Sequence, residues 1–159
     1  MSQHARARCY VASPLGFTEA GCAYNGSTLV PRLREVVEVV DPWILVSDAE
    51  LDEAYRAGRE REIAAETGRR NTEALRSCTL LVAYLEGQEI DSGTAAEVGF
   101  ATALGIRCFG LRTDRRQAGE QGAAVNLQLE SFITLSGGRI VTTLGELVEA
   151  VALAAESDR

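Results

Sequence analysis

One acidic residue interrupts an otherwise uncharged segment of the chain. From Ser92 to Ile106, every residue except Glu97 is apolar, Gly, Ser or Thr. A carboxylate in such surroundings is costly unless a partner satisfies it or the protein uses it. Thr94 and Glu97 have the spacing of a capping box, in which the carboxylate accepts a backbone N–H at the helix N-terminus. Alternatively, Glu97 lines a pocket at that helix end and takes part in a reaction.

Most familiar catalytic and cofactor-binding patterns are missing from the sequence. The single histidine, His4, lies near the N-terminus, so Ser-His and Cys-His catalysis lack a base. Residues 13–21 (SPLGFTEAG) match neither glycine-rich phosphate-binding pattern. Four scattered cysteines without a C-x-x-C pair argue against a zinc site or a disulfide framework: Cys9, Cys22, Cys78 and Cys108. Carboxylate chemistry, with Glu or Asp as nucleophile or acid/base, remains.

The elements that must position Glu97 alternate along the chain between apolar segments and helical patterns. We predict buried strands at 8–13, 43–47, 78–86 and 106–112. We predict helices at 29–40, 50–76 with a break near Gly68, 94–104 capped by Gly105, and 143–156 opened by a Thr143–Glu146 capping box. Such alternation indicates a doubly wound α/β fold, flavodoxin-like or Rossmann-like, with about five parallel strands and helices on both faces.

In such a fold Glu97 belongs to the ligand-binding edge of the sheet. Ligands bind in the loops after the strand C-termini, and the loop after 78–86 carries Asp91 and Ser92. A side chain one turn into the next helix points back toward that loop. The helix dipole should favour the ionised form of Glu97. Gly93 lets a ligand approach the backbone closely.

Length, composition and charge set the class of protein. The 159 residues are expected to form a single domain with a core over about 8–156 and a flexible tail at 1–7. A net charge of −7 disfavours binding to a nucleic-acid polymer, which requires a basic face. No apolar run reaches the roughly 18 residues of a membrane span. The first residues lack the apolar centre of a signal peptide, so we expect a cytoplasmic protein with no membrane partner.

Four segments of the chain, taken in order, resemble the motifs of one enzyme family. They are CYVASPLGF at 9–17, RRNTEALRSCTLLVAYLEG at 69–87, DSGTAAEVGFA at 91–101 and VNLQLE at 125–130. The third is similar to the signature Asp-x-Gly-Thr-x-x-Glu-[Ile/Val/Leu]-Gly-[Tyr/Phe]-Ala of the nucleoside 2-deoxyribosyltransferases. The resemblance covers about residues 8–130.

The resemblance implies roles for individual residues. Glu97 matches the nucleophile that attacks C1′ of a 2′-deoxyribonucleoside, Tyr10 the tyrosine that steers it, and Asp91 an acid near the sugar and the leaving base. Asn126 matches an asparagine that binds the sugar 5′-hydroxyl in the active site of a neighbouring subunit. The resemblance therefore implies a homodimer or higher homo-oligomer with shared active sites. The other substrate-binding positions are Ser13, Pro14, Leu15 and Phe17, on the loop that forms a wall of the base-binding pocket, together with Asn71, Gly93 and Thr94.

The implied reaction exchanges bases between nucleosides and free bases by double displacement. Glu97 displaces the first base to form a 2-deoxyribosyl ester, and a second base displaces Glu97 with net retention. Water in place of the second base would give hydrolysis, and no metal or organic cofactor is needed. One position departs from the family, because some members have an aspartate, proposed to shuttle a proton, where this chain has Asn71. An amide has no titrating proton, so Asp91 or water takes that role or exchange is slow.

Two other functions remain open. A nucleoside 5′-monophosphate N-glycosidase on the same fold must hold a phosphate dianion. Residues 86–93 carry three acidic residues and no basic one, which disfavours phosphate unless arginines from 56–70 fold over the site. A non-catalytic nucleotide-sensing module is disfavoured by Glu97 with Tyr10, because a pure binder has no use for an anion beside C1′. Trp43 is assigned to the core, as the start of a buried strand.

Overall fold

Short apolar segments form a parallel sheet in the computed structural model, which describes residues 6–157. The strands are β1 (Arg8–Ala12), β2 (Glu38–Val40), β3 (Leu80–Tyr84), β4 (Arg107–Leu111) and β5 (Ile140–Val141). The helices are α1 (Glu19–Tyr24), α2 (Val30–Arg34), α3 (Asp48–Arg56), α4 (Glu60–Arg76), α5 (Ser92–Ala103), α6 (Leu127–Leu135) and α7 (Leu144–Ser157). His4 and most of the predicted tail at 1–7 lie outside the described residues.

The order of the strands creates a binding crevice at one edge of the sheet. Within the described residues the order is β2-β1-β3-β4-β5, with every neighbouring pair parallel. The chain therefore winds away from β1 in one direction and from β3 in the other. Doubly wound sheets bind ligands beyond the C-terminal ends of the strands at such a switch point. The predicted α/β fold with about five parallel strands is confirmed.

The sheet buries a different cluster of side chains on each face. Successive side chains of a strand point to opposite faces, and β1 follows this rule. Cys9 and Val11 join a cluster with α2 and α7, whereas Tyr10 and Ala12 join a cluster with α5 and α6. Tyr10, the only one of these four with a hydroxyl, thus lies on the face that α5 covers.

The predicted strand at 43–47 is wrong, and the predicted helix at 29–40 is correct only in its first part, α2. Pro42–Ile44 forms a short 3-10 turn whose N-cap is Asp41, and the edge strand β2 lies earlier in the chain. The segment 36–40 is rich in valine, and its spacing also fits a helix. Pairing of β2 with β1 decides for the strand, because β-branched side chains favour the half-buried surface of a sheet.

The other predicted elements differ mainly at their ends. The helical region at 50–76 breaks at Gly58, which has a φ of +67°, and α4 continues through Gly68. A glycine inside an exposed helix costs only about 1 kcal/mol, so it does not have to end the helix. Gly105, with a φ of +76°, ends α5 as predicted. The two-residue strand β5 has no counterpart among the predicted strands. No helix within residues 6–157 is both long and apolar enough to cross a membrane.

Candidate active site

A cleft of about 270 Å³ lies at the switch point of the sheet. Its walls come from the segments that follow β1, β2 and β3, and from one side of α4. The residues that line it are Ser13, Phe17, Pro42, Trp43, Thr67, Asn71, Asp91, Gly93, Thr94 and Glu97. Four chain segments that are far apart in sequence therefore meet at one place.

A short hydrogen bond joins β1 to α5 beside this cleft. The hydroxyl of Tyr10 donates to Oε1 of Glu97 at 2.6 Å. Tyr10 has no exposed surface, and its strand is held between β2 and β3. Glu97 lies in the second turn of α5 and is half-buried. The rigid central strand thus fixes the direction of the one carboxylate that the sequence places in an uncharged segment.

Glu97 is not part of a capping box. The N-cap of α5 is Asp91, whose Oδ2 accepts the backbone N–H of Thr94 at 2.8 Å and the Thr94 hydroxyl at 3.0 Å. The helix therefore begins earlier than the Thr94–Glu97 spacing requires. The helix end is satisfied without Glu97, and its carboxylate is turned to Tyr10.

Burial dominates the electrostatics of the pair. Removal from water raises the pKa of Glu97 above its ordinary value, and repulsion from Asp91 raises it further, against a lowering by the Tyr10 hydrogen bond. Burial and the neighbouring Glu97 charge also raise the pKa of Tyr10 strongly. The tyrosine therefore keeps its proton and remains the donor. The expectation that the helix dipole would favour the anion is outweighed, because the dipole acts mainly on the first turn.

Trp43 lines the cleft, although sequence reasoning assigned it to the core. Its indole Nε1–H donates to the carbonyl oxygen of Ser13 at 3.1 Å. Its ring meets Phe17 edge to face, with the centroids 4.7 Å apart and the planes at 85°. A Cβ on Gly16 would overlap Cδ2 and Cε3 of the indole. The Asp41–Pro42 dipeptide was the available signal, because Asp-Pro favours the start of a turn over a strand.

Thr67, like Pro42, is a further cleft residue that sequence reasoning missed. It lies one turn before Asn71 on α4 and lines the same cleft. Residues four apart lie on the same face of a helix. The spacing from Asn71 therefore indicates that Thr67 faces the same cleft.

Three of the predicted substrate-binding residues do not line the cleft. Leu15 is 7% exposed and packs in the core cluster with α2 and α7, because the 3-10 turn at Leu15–Phe17 directs it inward. Pro14 precedes that turn and is half-buried. Asn126 is exposed and is the N-cap of α6, where its Oδ1 accepts the backbone N–H of Gln128 at 3.0 Å.

Two oxygen atoms of cleft residues are shielded from solvent and have no hydrogen-bond partner among the described residues. They are Oγ of Ser13 and Oδ1 of Asn71. Buried polar atoms are nearly always paired in native structures. Both residues line the cleft, but these two atoms are themselves out of contact with solvent.

The lining of the cleft is acidic. Among residues 6–157 it includes the carboxylates of Asp91 and Glu97 and no Arg, Lys or His. The predicted alternative, in which arginines from 56–70 fold over the site, does not occur for Arg69 or Arg70. Arg69 pairs with Glu66 and Glu73, and Arg70 pairs with Glu50 and Glu66. No cluster of potential metal ligands occurs within the described residues.

Comparisons with known proteins identify the family of the chain and related folds. A sequence model described as nucleoside 2-deoxyribosyltransferase matches residues 9–138. A conserved protein from Enterococcus faecalis V583 is 27% identical, with a TM-score of 0.68 over 94% of this chain and 99% of that one. A 2-deoxyribosyltransferase from Leishmania mexicana is 22% identical, with a TM-score of 0.66 over 94% and 97%. The CMP N-glycosidase of Clostridium botulinum is 17% identical, with a TM-score of 0.57 over 92% and 98%. The last two likenesses concern the fold alone. A search of curated proteins gave no match.

Proposed function

Since the chain belongs to the nucleoside 2-deoxyribosyltransferase family, we propose that it cleaves the N-glycosidic bond of a 2′-deoxyribonucleoside and transfers the sugar to a second free base. The hydrogen bond between Tyr10 and Glu97 carries this proposal. It aims a half-buried carboxylate beside a cleft at the ligand-binding edge of the sheet. A buried anion without a cationic partner is costly for stability, and a nucleophile explains why the chain retains one.

In the proposed mechanism Glu97 is the nucleophile. Its carboxylate attacks C1′ of the sugar, the bond from C1′ to the base nitrogen breaks, and a glycosyl ester forms. The Tyr10 hydroxyl holds the attacking carboxylate in one orientation. A second base then attacks C1′ from the face that the first base left, gives up its ring N–H proton to Asp91 or water, and Glu97 departs as carboxylate. Two inversions retain the configuration at C1′.

Asp91 has two roles in this proposal. Its Oδ2 closes the N-terminus of α5, where the bond from the Thr94 N–H fixes the side chain. The carboxyl group also lines the cleft, where it can bind a sugar hydroxyl or pass a proton to the leaving base. The leaving base takes its proton from Asp91 or from water, because the Asn71 amide has none to give.

The charge of the cleft supports a free nucleoside as substrate. A 5′-monophosphate needs cationic or backbone donors around its dianion. Two carboxylates and no basic side chain line the cleft among the described residues. This distribution favours transfer from a neutral nucleoside over hydrolysis of a nucleotide.

Base exchange is the direct test. The protein is incubated with a 2′-deoxynucleoside and a different free base, across purine and pyrimidine donors, and the products are separated by chromatography. We expect the exchanged nucleoside with only the β-anomer formed. Cleavage of 5′-monophosphates alone would instead establish a glycosidase. Binding of nucleosides without any turnover would establish a sensing module.

We further propose that the working site is shared between two copies of the chain. Asn126 does not line the cleft of its own chain, yet it begins a helix with an exposed apolar surface. On α6, Leu127 is 51% exposed and Leu135 is 77% exposed. Large exposed apolar side chains that lie together are typical of protein interfaces. A symmetric homo-oligomer that covers α6 would bring Asn126 to the sugar pocket of the partner.

Complementation tests the shared site. Asn126→Ala and Glu97→Ala should each be poorly active alone. After mixing and reassembly, sites that join an intact Glu97 with an intact Asn126 from the other chain should recover activity. A monomer in sedimentation that is fully active at nanomolar concentration would refute sharing.

A further inference from the structure

The turn that forms one wall of the cleft is held from behind by buried polar side chains. Pro42 and Trp43 line the cleft, and both belong to the 3-10 turn Pro42–Ile44 that follows β2. The pairing of β1 with β2 ends at Tyr10 and Val40. Pro42 has no backbone N–H, so it cannot donate to a continued ladder. Beyond Val40 the position of the wall therefore depends on other contacts.

Asp41 supplies the first of these contacts. Its Oδ1 accepts the backbone N–H of Trp43 at 3.0 Å, which makes Asp41 the N-cap of the turn. The residue is only 8% exposed. A carboxylate removed from water is costly unless hydrogen bonds satisfy it. The burial of Asp41 therefore calls for a further donor.

Asn25 is that donor. Its Nδ2 donates to Oδ2 of Asp41 at 2.9 Å, and the direction is fixed because an ionised carboxylate only accepts. Asn25 is buried and begins a π turn, Asn25–Leu29, between α1 and α2. Such turns are frequent at functional sites. The nearest buried residues before and after it in the chain, Gly21 and Leu29, have no polar side-chain atom. A polar side chain at position 25 thus has a reason other than packing.

The indole of Trp43 is anchored to a different part of the chain. Its Nε1–H donates to the Ser13 carbonyl, its ring meets the edge of Phe17, and it lies against Gly16. These contacts hold the ring to the segment after β1, whereas Asp41 holds the backbone of Trp43. The wall therefore has two separate supports, and the support at the backbone is the buried pair of Asn25 and Asp41.

We infer that Asn25 is a positioning residue for the candidate active site and acts through Asp41 on the turn that carries Trp43. The amide holds the carboxylate, and the carboxylate holds the backbone of the wall. The cleft then has its shape before a ligand arrives, which lowers the ordering cost of binding. Asn25 itself is not among the residues that line the cleft. Its contribution is to ligand binding and not to the bond-breaking step.

Asn25 is a cleaner position for a test than Asp41. Burial and Glu97 raise the pKa of Tyr10 most, and the charge of Asp41 adds to them. A change at Asp41 thus alters the surroundings of the Tyr10–Glu97 pair as well as the turn. Asn25 is uncharged, so its replacement leaves these charges in place.

Tryptophan fluorescence measures the order of the wall directly. Trp43 is the only tryptophan of the chain, and its emission is quenched with acrylamide in the folded protein. We expect stronger quenching in Asn25→Ala than in the wild type, because a loosened turn exposes the indole. Asn25→Ser, whose side chain is too short to reach Asp41, is measured in parallel so that the test does not depend on one variant.

Ser27→Ala is the matched control. The Ser27 hydroxyl donates to the Ala23 carbonyl at 2.6 Å, so this variant also loses a side-chain hydrogen bond in the same π turn. That bond does not lead to Asp41. Quenching of Trp43 in Ser27→Ala should therefore equal that of the wild type.

Base exchange gives a second readout, which rests on the proposed function. A ligand binds only those molecules whose wall is correctly formed, so disorder of the wall raises the apparent dissociation constant and not the rate at saturation. In Asn25→Ala the KM for the donor nucleoside should rise about tenfold, the size of effect of a lost bond to a charged group. The kcat should change by less than about twofold. Partial unfolding would instead lower kcat at an unchanged KM.

The two readouts separate failure of the inference from failure of the proposed function. Equal quenching of Trp43 in Asn25→Ala, Asn25→Ser and Ser27→Ala would overturn the inference. A lower kcat with an unchanged KM would overturn it too, because the buried pair would then serve stability alone. If the wild type exchanges no base, the proposed function fails, and the comparison of quenching decides the inference by itself.

Discussion

The sequence Thr-x-x-Glu occurs at two helix starts in this protein, with opposite results. At the start of α7, Thr143 accepts the backbone N–H of Glu146 at 3.2 Å, and Oε2 of Glu146 accepts the backbone N–H of Thr143 at 3.1 Å. This is a capping box on the surface, as the sequence predicts. At the start of α5, Thr94 is 1% exposed and donates to Asp91, and Glu97 is paired with Tyr10.

The two glutamates also differ in ionisation. Bonds from the backbone of Thr142 and the side chain of Thr143 lower the pKa of Glu146. Burial raises the pKa of Glu97. The first carboxylate stabilises the fold as an anion, whereas the second is held as an anion at a cost. A residue pattern thus offers a capping interaction, and burial and neighbouring strands decide whether the protein uses it.

Substitution of each glutamate by glutamine should affect turnover very differently, and this is the largest effect that we expect. Glu97→Gln keeps the shape of the side chain but removes the nucleophile, and turnover should fall by about 10³-fold or more. Glu146→Gln, the matched control, should leave turnover unchanged because a glutamine also serves in a capping box. The measurement is the initial rate of base exchange by each folded protein. Near-normal turnover of Glu97→Gln would remove the distinction.

Tyr10→Phe sharpens the comparison through the pH profile. Loss of the hydrogen bond should lower kcat/KM by roughly 10- to 100-fold, the usual contribution of a bond to a charged group. That bond lowers the pKa of Glu97, so the variant should raise it further. The acid limb of the profile of kcat/KM against pH should therefore move to higher pH. A limb that stays in place would mean that Tyr10 does not control the ionisation of Glu97.

Stability should change least, but with opposite dependence on pH. The folded pKa of Glu97 lies above its ordinary value of 4.5, so the wild type loses stability as pH rises from that value through the folded pKa. Glu97→Gln escapes this loss and should be more stable than the wild type at neutral pH, with the difference vanishing in acid.

Glu146 provides the opposite case. Its folded pKa is below 4.5, so its contribution is present above that value and is lost as pH falls through the folded pKa. Glu146→Gln should therefore be slightly less stable than the wild type at neutral pH and equal to it in acid. Urea unfolding of both variants from acid to neutral pH measures the two slopes. Slopes of the same sign would contradict the contrast.

Local signals predicted much of the fold and left parts of it undetermined. Gly105 and the Thr143–Glu146 box mark helix ends correctly, because caps depend on residues close in sequence. The valines of 36–40 fit a helix and a strand equally well, and only pairing with β1 makes them β2. The apolar pattern of 43–47 predicts a strand and a core position for Trp43, whereas the turn at Pro42–Ile44 puts this residue in the wall of the cleft.

The sequence by itself determined the alternation of strands and helices and the isolation of Glu97 among uncharged residues. It also carries the family resemblance, which relates Glu97 to Tyr10. These are properties of local spacing and residue type. Only the tertiary structure decided that Asp91 and not Thr94 caps α5, that Trp43 faces the cleft, and that Ser13 Oγ and Asn71 Oδ1 have no partner within residues 6–157. Such facts depend on which distant segments meet. Burial and hydrogen bonding are set by those contacts, and no sequence window contains them.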